Sequence, residues 1–197
     1  MVRGRFIALE GPKGVGKTTL CAALAERITG TPGASKVLIT KEPTPRFDLG
    51  NEQRLTGLAL AKAIAADRRW HVDAELEPAL AAGRTVICDR YILSSYIFHT
   101  GDGVAEDVID RLNESFPLPT LNVVLYVPAD ALRERLNARS SATRLQKGST
   151  NEFSLYIRYA ERMRRLDVPY KIANNADIGD QEALTGWLVN CCTGGLP

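Results

Sequence analysis

Short apolar runs alternate with longer stretches of helical period along the chain, the pattern expected where crossover helices cover a sheet. The apolar runs predict strands at residues 5–9, 37–40, 85–88, 121–127 and 170–173. Apolar positions three and four apart predict helices over 17–28, a long region at 53–82, 104–114, 129–139, 151–166 and 181–190. The linkers, 29–35, 43–50, 116–119 and 140–150, are rich in Gly, Pro, Ser or Thr, and none is long enough to separate domains. The expected fold is an α/β three-layer sandwich, a central parallel five-stranded sheet flanked by helices, forming one domain over residues 1–197. Its ligand site belongs at the carboxyl ends of the strands.

Composition narrows the function classes. The 197 residues are 45% hydrophobic and 24% charged, which excludes disorder and collagen-like order. A net charge of +2 gives no global field for nucleic acid or an anionic membrane, so neither is expected as a partner. Cys21, Cys88, Cys191 and Cys192 form no C-x-x-C pair, and only His71 and His99 could join them, so no zinc site is expected. Cys21 and Cys88 lie in apolar runs and read as buried thiols. The first apolar run, 6–9, is too short for a signal core or a membrane span, and a reducing cytoplasm is the expected setting.

The strongest chemical signal is Gly11-Pro12-Lys13-Gly14-Val15-Gly16-Lys17-Thr18, which fits G-x-x-x-x-G-K-[ST] between a predicted strand and a predicted helix. Glycines allow a tight turn whose amides face a polyphosphate, and the helix N-terminus adds partial positive charge. Lys17 is expected to reach the β/γ-phosphates and Thr18 to ligate Mg²⁺, with Thr19 beside them; ATP and Mg²⁺ are therefore the expected cofactors. No Asn-Lys-x-Asp run of the kind that reads guanine is present. Phosphoryl transfer to a small acceptor leads.

A second constellation ends the third strand, where Asp89-Arg90-Tyr91 places a carboxylate suited to Mg²⁺ and a guanidinium suited to phosphate. The alternative is a surface ion pair. A third lies between Arg133 and Arg165, where nine bases face three acids around the 140–150 linker. Arg139 and Arg144, flanking or within that linker, are expected in a lid at about 140–151 that closes on phosphates, with Arg144 catalytic and Arg139 at the cofactor. Arg162, Arg164 and Arg165 read instead as a solvated face.

These motifs together resemble the thymidylate kinases, a branch of the P-loop nucleoside monophosphate kinases, over nearly the whole chain. Glu10-Gly11 leading to Gly14-Val15-Gly16-Lys17-Thr18 is similar to the family's phosphate loop, and Lys41-Glu42-Pro43 to its Glu-Pro turn. Arg54 falls at an acceptor-phosphate arginine, Ala65-Ala66-Asp67-Arg68 with His71 resembles the base-binding helix, and Asp89-Arg90-Tyr91 with Ser94-Ser95 resembles the family signature. The resemblance implies ATP-dependent phosphorylation of a pyrimidine deoxynucleoside monophosphate, Mg²⁺, and a homodimer. It implies acceptor contacts at Glu42, Arg54, Ile64, Arg68, Arg90, Tyr91, Ser94, Phe98 and His99, and catalytic roles for Lys17, Asp89, Arg90 and Arg144.

Three departures fall on the acceptor side. Lys13 stands where the family usually has an acid that accepts from the sugar hydroxyl, and an ammonium cannot accept. Ile64 replaces the aromatic residue that stacks on the base, forgoing roughly 1 kcal/mol. Phe98 and His99 stand near the family's Tyr-Gln pair. These changes raise the expectation that the acceptor is dTMP or a modified relative bearing an extra negative group. Two other readings stay open: a nucleoside kinase using Glu42 as base toward a 5′-hydroxyl, and a nucleotide-binding partner without catalysis. Arg68 is the candidate base contact, against a surface ion pair with Asp67 or Asp73.

Overall fold

The computed structural model describes residues 3–29, 37–138 and 152–193. Its five strands are β1 (Phe6–Glu10), β2 (Val37–Lys41), β3 (Thr85–Asp89), β4 (Leu121–Tyr126) and β5 (Tyr170–Asn174), each within one residue of its expected bounds. They form one parallel sheet in the order β2-β3-β1-β4-β5. Every residue of central β1 is buried, because helices cover both faces; edge strand β5 leaves Lys171, Ile172 and Asn174 exposed.

The helices are α1 (Lys17–Thr29), α2 (Asn51–Arg54), α3 (Gly57–His71), α4 (Glu77–Ala81), α5 (Ile92–Gly101), α6 (Glu106–Asn113), α7 (Ala129–Asn137), α8 (Glu152–Arg164) and α9 (Ile178–Thr193). Side chains alternate across the strands. Phe6, Ala8, Val86 and Cys88 therefore pack with α3 to α6 and α8, while Ile7, Leu9 and Ile87 pack with α1, α7 and α9.

Two helical expectations change. The region 53–82 is not one helix. Leu55 is extended at ψ 148° and Gly57 takes φ +51°, which separates α2 from α3. A π turn at Val72–Leu76 then joins α3 to α4, just before Pro78, which has no N–H to continue the ladder. Helix α5 was not legible as a helix at all. It has no Ser, Thr, Asp or Asn at its start, and its cap comes from β1: Glu10 Oε1 accepts from the amides of Tyr91 at 2.8 Å and Ser94 at 3.4 Å.

Part of the basic stretch is structural. Arg158 and Arg162 of α8 pair with Glu106 of α6 at 2.7 and 2.6 Å, and Arg162 also bonds Asp110. Arg139, Arg144 and the whole of the expected lid at 140–151 lie outside the described residues. No described helix is long and apolar enough to cross a membrane, and all four cysteines are free thiols.

Candidate active site

β1 delivers the chain into the glycine loop at the carboxyl edge of the sheet. Gly11, Gly14 and Gly16 adopt φ of +136°, +90° and +91°, the left-handed range. A Cβ on Gly11 would stand 2.8 Å from the Leu125 carbonyl oxygen, and one on Gly16 2.5 Å from Asn175 Nδ2. Side chains are thus excluded where the loop wraps into α1, whose N-terminus favours an anion. Val15 is buried in the core beneath the loop, and its carbonyl accepts from Asn175 Nδ2 at 2.6 Å.

Lys17 is 6% exposed, and Nζ donates to the carbonyls of Gly11 at 2.8 Å and Pro12 at 3.0 Å. Burial pushes its pKa down to about 7; the charge of Arg90 acts in the same direction, against Asp89 and Glu10. An ammonium held this way is stabilised strongly by an arriving polyphosphate.

Asp89 sits in register with Leu9 of β1, so the carboxylate lies beside the loop. Thr18 Oγ1 donates to Asp89 Oδ2 at 3.1 Å, while Asp89 Oδ1 is buried without a hydrogen-bond partner among the described residues. This oxygen-only pair fits a small hard cation that completes its shell with water and phosphate oxygens. No cluster of three or more His, Cys, Asp or Glu able to hold a metal occurs among the described residues.

Arg90 adopts φ +70°, unusual for a residue with a side chain and costing on the order of 1–3 kcal/mol. Among the described residues its side-chain hydrogen bonds all use Nη1, which donates to Tyr156 Oη at 2.9 Å, Ser94 Oγ at 3.1 Å and the Gly11 carbonyl at 3.4 Å, and its Cζ lies 5.1 Å from the centre of the Phe98 ring. No described residue accepts from Nε or Nη2. The guanidinium is anchored at one nitrogen with its bidentate edge left for a phosphate.

A cavity of about 580 Å³ joins this phosphate end to an acceptor end. Tyr91, Ser94, Ser95, Phe98 and His99 all line it, at i, i+3, i+4, i+7 and i+8, one face of α5. Ile64 of α3 and Leu49 add apolar wall, and Lys13, Gly14, Gly16, Lys17, Thr18, Thr19, Asp89 and Arg90 line the other end. His99 is 3% exposed, and its Nδ1 is buried without a hydrogen-bond partner among the described residues. Burial lowers its pKa to about 4, Arg68 lowering it further against Asp102, so the ring is neutral near pH 7.

Arg68 also lines the cavity but is only 2% exposed, which sets aside the surface ion pair. Nε donates to Glu42 Oε2 at 2.7 Å, Nη2 to Ser95 Oγ at 3.0 Å, and Nη1 to Asn113 Oδ1. Glu42 Oε1 meets His71 Nδ1 at 2.9 Å, and His71 Nε2 lies 2.9 Å from Thr40 Oγ1. Asp67 instead accepts from the Thr44 amide and hydroxyl at 2.8 and 2.7 Å, and Asp73 lies 3.6 Å from Arg69.

The structure therefore brings most of the expected site residues to one cavity. Arg54 is not among them: its guanidinium is 61% exposed and pairs with Asp48 and Asn51. Sequence reasoning missed Lys41 and Glu52, which line the wall, and Glu10 and Tyr156, which brace it. Lys41 and Glu10 adjoin motif residues, whereas nothing in the sequence marked Tyr156.

A glycine loop, a Thr–Asp oxygen pair and a fork-presenting arginine around one two-ended cavity define a P-loop phosphotransferase of the nucleoside monophosphate kinase class. The family model for thymidylate kinase matches residues 9–175, and the chain belongs to that family. It is 34% identical over 158 residues to a probable thymidylate kinase of Pyrococcus abyssi, covering 74% of this chain and 76% of the relative. A probable thymidylate kinase of Pyrobaculum calidifontis is 36% identical over 174 residues, covering 83% and 85%. The crystal structure of thymidylate kinase from Ehrlichia chaffeensis superposes with a TM-score of 0.68 at 24% identity, covering 96% of this chain and 98% of that one, a likeness of fold.

Proposed function

We propose that this chain transfers the γ-phosphoryl group of ATP to dTMP, yielding ADP and dTDP. The carrying observation is the pairing, in one cavity, of the Lys17 loop with the Arg90 guanidinium whose Nε–Nη2 edge meets no described residue. Lys17 and the loop amides bind the donor phosphates; Arg90 holds the acceptor phosphate in line. The acceptor phosphate is already ionised at neutral pH, so positioning and charge stabilisation suffice and no general base is needed. Thr18 and Asp89 would hold Mg²⁺, which supplies charge neutralisation on the transferring group. Ile64 and Phe98 flank the base, and Arg68, with each of its three guanidinium nitrogens engaged inside the protein, has little left to offer it.

The other readings are less well supported. Both oxygens of Glu42 are engaged by Arg68 and His71, which leaves no free base for a nucleoside 5′-hydroxyl. The named relatives are thymidylate kinases, which favours unmodified dTMP over a more anionic acceptor despite Lys13. The test is ADP release from Mg-ATP with dTMP, thymidine or an anionic pyrimidine nucleotide as acceptor, each phosphorylated product identified by chromatography: dTMP should turn over fastest, and preferential use of thymidine would overturn the reading. The family pattern extends the proposal to a cytoplasmic homodimer, and sedimentation at twice the 21.5 kDa chain mass would support the dimer.

A further inference from the structure

Arg90 directly follows β3, yet the shortest hydrogen bond of its side chain goes to a helix residue 66 positions later in the chain. Tyr156 of α8 is fully buried, and its hydroxyl accepts from Arg90 Nη1 at 2.9 Å. The same hydroxyl lies 3.3 Å from Ser94 Oγ, and Ser94 Oγ donates to Glu10 Oε2 at 2.6 Å. Proton counting orders the chain. The Ser94 proton is committed to Glu10, so the bond between the two hydroxyls uses the Tyr156 proton, donated to Ser94. The two hydroxyls each give once, linking the guanidinium through Tyr156 and Ser94 to the buried Glu10 carboxyl group. Burial raises the Tyr156 pKa to about 12 against the opposing charge of Arg90, so this proton stays in place across the working range.

We infer that Tyr156 is a positioning residue that aims the Arg90 guanidinium at the acceptor phosphate. Without its hydroxyl, Nη1 keeps only the Ser94 and 3.4 Å Gly11 bonds among the described residues; the Phe98 ring, 5.1 Å from Cζ, holds the face of the planar group but not its rotation in plane, so the open edge can turn away from the acceptor. The inference rests on the proposed dTMP kinase reading, and its effect is confined to one substrate. Lys17 and the glycine loop have no bond to Tyr156 among the described residues.

The test is steady-state kinetics of Tyr156→Phe, which keeps the ring and its packing. KM for dTMP should rise roughly tenfold, the usual consequence of losing a hydrogen bond to a charged group, while KM for ATP stays within about twofold. Tyr159→Phe is the control: it lies on the same helix and loses a 3.1 Å bond to Glu106, outside the cavity, and should behave as wild type. In an Arg90→Lys background, which already lacks the fork, adding Tyr156→Phe should change KM for dTMP less than about twofold. An unchanged KM for dTMP, equal rises for both substrates, the same loss in Tyr159→Phe, or an undiminished effect in the Arg90→Lys background would each overturn the inference. Wild-type protein that makes no dTDP would defeat the kinase reading itself; active wild type with an indifferent Tyr156→Phe defeats only the role of Tyr156.

Discussion

The two ends of the cavity hold their charges in opposite ways. At the phosphate end, among the described residues, Lys17 is buried with only carbonyls accepting from it, Asp89 Oδ1 has no hydrogen-bond partner, and Arg90 forms its side-chain hydrogen bonds through one nitrogen. At the acceptor end, Glu42, Arg68 and His71 satisfy one another almost completely while buried. The first set leaves room for a ligand to complete it; the second is closed by the protein. Charges left for a ligand cost stability, whereas in a closed buried node it is the loss of one partner that costs stability.

That contrast makes substitutions at the two ends separable. Lys17→Ala should lower kcat about a thousandfold or more while leaving the thermal midpoint at or above wild type, since it deletes a desolvated charge. A coupled ADP assay with a melting curve checks both parts. Glu42→Ala should instead cost roughly 3–5 kcal/mol of stability, because it strands the Arg68 guanidinium in the interior, and urea unfolding measures it. A variant at Lys17 that melts early, or one at Glu42 that melts like wild type, would erase the distinction.

The lowered pKa of Lys17 gives a smaller effect with a definite sign. With a free-state value of about 7, the side chain is mostly neutral at pH 8 and mostly charged at pH 6. Bound polyphosphate raises the value, so ATP binding should take up close to one proton at pH 8 and nearly none at pH 6. Calorimetry in buffers of different ionisation enthalpy reads this directly, and the opposite trend would show that Lys17 is not the group being charged. The smallest change expected is at the apolar wall: Ile64→Phe restores an aromatic face and should lower KM for dTMP a few-fold, with KM for ATP unmoved.

Most of the sheet was legible because each strand is a short apolar run between turn signals, and the glycine loop was legible because its residues and its strand–helix context agree. Helix α5 was hidden because its cap is Glu10, reached through the fold and not through neighbouring residues. The same limit explains Arg68, whose partners Glu42, Ser95 and Asn113 lie 26, 27 and 45 residues away. Arg54 shows the converse: a matching position in the chain did not bring its guanidinium, engaged by Asp48 and Asn51, to the cavity wall. Periodicity and motif spacing report local geometry, while the burial and pairing of a charge are decided by distant segments.

The central claim is tested most directly by incubating the purified protein with Mg-ATP and dTMP and following dTDP by chromatography, with Lys17→Ala in parallel. The account predicts stoichiometric ADP and dTDP that require both substrates and vanish in the variant. No dTDP from folded wild-type protein, or equal yield from Lys17→Ala, would contradict it.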